Sequence, residues 1–138
     1  MKKFQWPVRV YYEDTDAGGV VYYANYLRFF ERARTEMLRS SGFEQDQLEN
    51  QHQIVFAVRS IEVDYLLPAH FNQSLLVNVE INQFRGVSII FKQQITHPDV
   101  DENQVLCRAN VRIVCVDSQT FQPRPIPQLI RKELQQYV

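Results

Sequence analysis

The chain has 138 residues, enough for one domain with a core of its own. Fifteen Lys and Arg stand against sixteen Asp and Glu, which excludes the strongly basic face that broad nucleic-acid binding requires. No apolar run approaches the roughly 20 residues of a membrane-spanning helix, and Gln5, Arg9, Glu13 and Asp14 interrupt any leader after Met1-Lys2-Lys3, so the expected location is cytoplasmic.

Phe4, Trp6, Val8, Val10 and Tyr12 alternate with Gln5, Pro7, Arg9 and Tyr11, the period of a strand with one buried face. Pro7 cannot donate to a ladder, which puts this strand at a sheet edge. The run Glu13-Asp14-Thr15-Asp16-Ala17-Gly18-Gly19 follows, rich in turn formers. From about Tyr22 to Ser41 the period changes: Tyr26, Phe30, Ala33 and Met37 share one helical face, with Arg28, Arg32, Glu36 and Arg39 opposite. Glu31 and Arg34 are spaced to pair at i,i+3. Gly42 suits the position just past the helix end, with Phe43 as its apolar contact.

The remainder alternates as strands. Ile61, Val63 and Tyr65 form one, ended by Leu66-Leu67-Pro68-Ala69. Leu75 to Ile81 and Val87 to Ile95 form a hairpin through Phe84-Arg85-Gly86. Val105 to Cys115 form the last. Cys107 and Cys115 fall eight residues apart on this strand, about 26 Å, beyond the ~7 Å reach of a disulfide, and read as buried small hydrophobes. A short helix from Pro127 to Gln136 closes the chain. The pattern predicts an α+β fold, one helix on an antiparallel sheet of about five strands, as a single domain over 1–138.

The segment from Tyr11 to Tyr26 carries the chemistry. It is a strand end, a glycine turn and a helix start, with carboxylates in the turn. A helix start presents unpaired N–H groups and partial positive charge, which can hold an oxyanion. A nearby carboxylate can attack a carbonyl or activate water. The same residue types also serve plain turns and helix caps, and spacing alone does not separate the two readings. Asp14 fits a turn-ordering role through bonds to backbone N–H groups. An Asp14–Asp16 metal site lacks further ligands at suitable spacing. His52, His70 and His97 lie apart, in or beside loops, and read as ordinary polar positions.

The string Asp14-Thr15-Asp16-Ala17-Gly18-Gly19-Val20-Val21-Tyr22 resembles the signature of the hotdog-fold acyl-CoA thioesterases of the 4-hydroxybenzoyl-CoA thioesterase type, nearest to the Tol-Pal-associated, YbgC-like group. The resemblance continues through Phe30-Glu31-Arg32-Ala33-Arg34-Thr35-Glu36-Met37-Leu38 and returns at Val63-Asp64-Tyr65 with Pro68-Ala69. It implies a sheet wrapped around the long helix, hydrolysis of acyl-CoA to free acid and CoA, and no metal or redox cofactor. It places the catalytic carboxylate on Asp16 and the carbonyl-polarising N–H on Tyr23, where many relatives have His. It also implies nucleotide contacts at Arg85 and Ser88, for which the outward-facing Arg108 and Arg112 are alternatives; apart from the resemblance, Gly19 is a substrate-contact candidate because glycine lets a substrate approach the backbone closely, and Tyr22, read with Tyr26, Phe29 and Phe30 mostly as a core aromatic, is a candidate to line the acyl pocket. The implied assembly is a homodimer or homotetramer with the active site between subunits. The alternative is a protein that binds acyl-CoA or acyl carrier protein without turnover. A hotdog dehydratase ranks lower, because no His lies near the glycine turn.

Overall fold

Five strands form one antiparallel sheet in the computed structural model, which describes residues 2–138. In chain order they are β1 (Phe4–Arg9), β2 (Ile54–Tyr65), β3 (Ser74–Arg85), β4 (Ser88–His97) and β5 (Glu102–Asp117). Their spatial order is β1-β3-β4-β5-β2. The predicted hairpin is β3–β4, closed at Gly86 with φ +62°, where glycine avoids the steric cost other residues meet. Pro7 lies on an edge strand as expected.

The long helix α1 (Asn25–Ser40) buries Tyr26, Phe29, Phe30, Ala33, Met37 and Leu38 in the same core as Val77, Val79, Phe91, Ile95 and Val111 of the sheet. Burying each large side chain contributes roughly 1.5–3 kcal/mol, far more than helix propensity does, so the apolar stripe decides where this helix lies. Its end matches expectation. Gly42 has φ +93°, its N–H donates to Arg39 O at 3.0 Å, and Phe43 N–H donates to Leu38 O at 2.9 Å, the two bonds of a Schellman cap. Short helices α2 (Gln45–Gln47), α3 (Pro98–Asp101) and α4 (Gln128–Leu134) complete the chain, with Ile130 and Leu134 of α4 in the core.

Four expectations need correction. β1 stops at Arg9, and Tyr12 is exposed, because Asp14 Oδ2 accepts the Tyr11 N–H at 2.8 Å and draws the chain into a 3-10 turn. α1 starts at Asn25, not Tyr22. β2 begins at Ile54, seven residues before the predicted start, because Val55-Phe56-Ala57 is half-buried at every position and does not alternate. Glu31 and Arg34 do not form an ion pair. Arg34 sits beside the apolar stripe, is 8% exposed, and its Nη1 donates to Gln93 Oε1 at 2.8 Å. Gln93 Nε2 in turn donates to Phe30 O at 3.0 Å. Burial draws the Arg34 guanidinium down to about 10, so it stays charged at neutral pH, while Glu31 carries the Thr35 hydroxyl instead.

Candidate active site

The glycine turn between β1 and α1 is tightly bonded. Asp16 N–H donates to Val20 O at 2.9 Å, Gly19 N–H to Asp16 O at 3.0 Å, and Gly18 N–H to Asp16 Oδ1 at 2.8 Å. Asp16 is therefore a turn-former through one oxygen. Its Oδ2 has no partner among the described residues, and the side chain is exposed. A Cβ at Gly18 would meet Asp16 Oδ1 at 3.2 Å, so glycine there leaves the carboxylate its position.

Asp14 is the turn's anchor, the role expected of it. It is 4% exposed; Oδ1 accepts the Asn25 Nδ2–H at 2.6 Å and its carbonyl accepts the Tyr22 N–H at 2.9 Å. The end of the turn is thus tied to the start of α1. Val21 N–H donates to Ala69 O at 2.8 Å, which fixes the segment against the Pro68-Ala69 loop.

The helix start is open. Tyr22 O accepts the Asn25 N–H at 2.8 Å, a single turn that leads into α1 at Asn25. In a trans peptide the N–H points opposite the carbonyl. The Tyr22 carbonyl turns into the helix, so the Tyr23 N–H faces out of its N-terminal end. That N–H has no acceptor among the described residues. The Tyr23 carbonyl is pinned separately by the Tyr65 hydroxyl, which donates to it at 2.9 Å.

Asp16 and Tyr23 line one cleft of about 330 Å³, with Tyr26, Tyr65, Leu66, Leu67 and Pro68 among its walls. Tyr26 accepts the Ala69 N–H on its phenol oxygen at 3.0 Å. Burial first, with the Asp16 charge a smaller cause, holds the Tyr26 phenol above its ordinary range, so it remains neutral. Burial also raises Tyr65, and pushes the Cys107 thiol up to about 12, Asp64 adding to it; Cys107 is a packing residue and no nucleophile.

The other candidates fall outside this cleft. Gly19 has φ +79°, and a Cβ there would meet nothing within 4 Å, which makes it a turn residue. Tyr22 is exposed, its ring 4.8 Å from that of Tyr23. Arg85 is exposed at the end of β3, and Ser88 is fully buried, its Oγ accepting Arg112 Nε–H at 3.2 Å. Ser88 pairs with Val114, and Tyr65 pairs with Cys107, seven residues away on β5. That is about 23 Å of strand, so within one chain Arg85 and Ser88 stand far from Asp16. Arg108 is spoken for by Asp64 at 3.2 Å. Among the described residues no three or more His, Cys, Asp or Glu gather as a metal site. Asn25, Tyr26 and Tyr65 were missed as site residues. Tyr26 carried only its core signal in the helical stripe, and Tyr65 lies within the Val63-Asp64-Tyr65 match.

The sheet and its helix form a hotdog fold, and the chain belongs to the Thioesterase-like superfamily, whose family profile matches residues 10–134. It is 48% identical over 133 residues to the acyl-CoA thioester hydrolase YbgC of Escherichia coli O6:H1, covering 96% of both chains. It is 42% identical to the acyl-CoA thioesterase YbgC of Haemophilus influenzae, covering 93% of this chain and 91% of that one. Among solved structures, a probable thioesterase from Bartonella henselae superposes with TM-score 0.84 at 33% identity, over 91% of this chain and all of that one (100%). The resemblance to the YbgC-like group, read from the Asp14–Tyr22 string, the Phe30–Leu38 stretch and Val63-Asp64-Tyr65 with Pro68-Ala69, holds along nearly the whole chain.

Proposed function

We propose that the protein hydrolyses acyl-CoA thioesters to free acid and CoA, with Asp16 as the reacting carboxylate. The observation that carries this is the shared cleft: Asp16, with one carboxylate oxygen unpartnered, and Tyr23, whose N–H has no acceptor among the described residues, line the same space. The thioester carbonyl oxygen accepts the Tyr23 N–H, whose partial positive charge stabilises the oxyanion as it develops. Either Asp16 Oδ2 attacks the carbonyl carbon, the C–S bond breaks, CoA leaves as the thiolate and a water hydrolyses the resulting mixed anhydride to the free acid and the Asp16 carboxylate, or Oδ2 takes the proton of a water that attacks the carbon, the C–S bond breaks and the CoA thiolate takes up that proton. Gly18 N–H on Oδ1 keeps the carboxylate aimed. The test is thiol release from a panel of acyl-CoA substrates; a protein that binds these compounds without turnover leaves that signal flat.

The polarising group in this reading is backbone, so the Tyr23 phenol is dispensable. Tyr23→Phe is expected to hold kcat within about threefold. Tyr23→Pro, which deletes the N–H at a position where proline suits a helix start, should lower kcat by about 10²–10³. Stopped-time thiol assays on both variants, with circular dichroism to verify α1, decide it; an active Tyr23→Pro removes the amide from the mechanism.

The working unit is inferred to be at least a dimer. β2 is twelve residues long, carries half-buried Phe56, Ile61 and Val63 and exposed Val58, and pairs on one side alone among the described residues. A long apolar edge is a template for another strand. Antiparallel pairing of β2 with β2 of a second copy brings that copy's Ile54 end beside this copy's Tyr65 end. Arg85 and Ser88 lie toward the Ile54 end, since Val114 pairs with both Ser88 and Ala57. They would thus approach the cleft from the second subunit, where CoA phosphates need a cation. Sedimentation equilibrium at micromolar concentration is expected to give a dimer or a multiple of it; Val58→Lys, which charges the edge, should shift the mass toward monomer. A wild-type monomer would end this reading.

A further inference from the structure

The side chains that wall the Asp16 cleft include three hydrogen-bond donors, the phenols of Tyr23, Tyr26 and Tyr65. The Tyr65 O–H is committed to Tyr23 O at 2.9 Å, and Tyr23 itself is exposed. Tyr26 differs from both. It is 4% exposed, its oxygen accepts the Ala69 N–H at 3.0 Å, and nothing among the described residues accepts its own O–H. A buried O–H left without a protein acceptor calls for one from outside the chain. We propose that Tyr26 is a catalytic residue: its O–H donates to the thioester carbonyl oxygen, as a second donor beside the Tyr23 N–H. The proposal rests on the reading of Asp16 and Tyr23 given above.

The helix places this phenol. Tyr26 is the second residue of α1, three positions after Tyr23. Helical side chains lean toward the N-terminus, so the Tyr26 ring reaches back to the helix start, where the Tyr23 N–H is free. Ala69 fixes it there. The residue whose N–H meets the phenol also accepts the Val21 N–H at 2.8 Å, and Val21 and the adjoining Pro68 are both cleft walls. With the Ala69 N–H on one side of the oxygen, the O–H is left to turn to the other. An oxyanion is held best by several fixed donors, and side-chain hydroxyls serve beside backbone amides. Burial, opposed by the Ala69 N–H and aided by the neighbouring Cys107, Tyr65 and Asp16, holds the phenol above its ordinary range, so the proton stays on Tyr26 throughout and the group donates a hydrogen bond without acting as an acid.

Two changes at position 26 separate donation to the substrate from packing, with thiol release from acetyl-, butyryl-, octanoyl- and benzoyl-CoA as the assay. Tyr26→Phe removes the O–H and should lower kcat by about 10²-fold, with KM within about threefold. It also strips the Ala69 N–H of its acceptor, so a lower melting temperature is expected as well and kcat alone does not decide. Replacing Tyr26 by 3,5-difluorotyrosine keeps the oxygen and makes the phenol more acidic. The phenolate accepts the Ala69 N–H better than the phenol does, but it donates nothing. The ratio of this protein's kcat to that of the wild type should therefore fall as pH rises from about 7 to about 10. Every other titrating group is common to the two proteins, so the difference belongs to Tyr26. A constant ratio, or a Tyr26→Phe kcat within threefold of wild type, overturns the assignment; an inactive Asp16→Asn in the same assays then leaves the Asp16 reading standing without it. A wild type that releases thiol from none of the four substrates overturns the Asp16 reading and the Tyr26 assignment with it.

Discussion

Asp16→Asn is expected to abolish thiol release, with kcat down at least about 10³-fold, while the melting temperature and assembly state stay unchanged. General acid–base catalysis by one group typically accounts for 10²–10⁴, and a carboxylate that also attacks covalently accounts for more. The substitution is nearly isosteric. The amide oxygen still accepts the Gly18 N–H, so the turn that Asp16 Oδ1 holds at 2.8 Å survives. The carboxamide, however, is neither a base nor a useful nucleophile at neutral pH. Because the side chain is exposed, stability should move by less than about 0.5 kcal/mol. Asp16→Ala would break the turn and confuse the two roles. Hydrolysis by Asp16→Asn within tenfold of wild type would falsify the mechanism, whatever else the protein does.

Asp14→Ala should produce the opposite split, a large loss of stability with activity lost as a consequence. Asp14 is buried and accepts from the Tyr11 N–H and the Asn25 amide. Removing it leaves the buried Asn25 amide without its acceptor, costing about 1–3 kcal/mol, and gives up the part-buried bond from the Tyr11 N–H, which costs less because that group can turn to water. A total of about 2–4 kcal/mol corresponds to a fall in melting temperature on the order of 10 °C for a domain of this size. The same bonds hold the 3-10 turn to the first residue of α1, so the Tyr23 amide loses its fixed direction and kcat falls even below the melting range. Scanning calorimetry paired with kcat at 15 °C separates the effects. An unshifted melting temperature would mean that the Asp14–Asn25 bond is not formed in solution.

Local rules explain the parts of the fold that were legible. The α1 stripe of Tyr26, Phe30, Ala33 and Met37, the Gly42–Phe43 cap and the Phe84-Arg85-Gly86 hairpin depend on neighbours within five residues, and they appear as read. The start of β2 was not legible, because Val55-Phe56-Ala57 is half-buried throughout and so shows no alternation. Arg34 was misread because its partner, Gln93, is 59 residues away on β4, beyond any i,i+3 rule. At the site, Asp16 was legible only through the long motif. Its turn geometry is that of any Asp before a glycine pair: one oxygen serves the turn, and the other is without a partner among the described residues.

The sequence alone determined which groups stand at the candidate site: the carboxylates of Glu13, Asp14 and Asp16 at a glycine turn, a helix after it, and no His, Ser or Cys beside them. Periodicity and turn chemistry act over a few residues, so they reach that far. Only the tertiary structure decided which donors stay free and what faces them. The Tyr65 hydroxyl, 42 residues from Tyr23, and the Ala69 carbonyl, 48 residues from Val21, orient the peptides at the helix start. Tyr65, Leu67 and Pro68 enclose the space that Asp16 and Tyr23 share. A cleft is a relation between distant segments, and sequence spacing does not encode the direction in which a peptide N–H points.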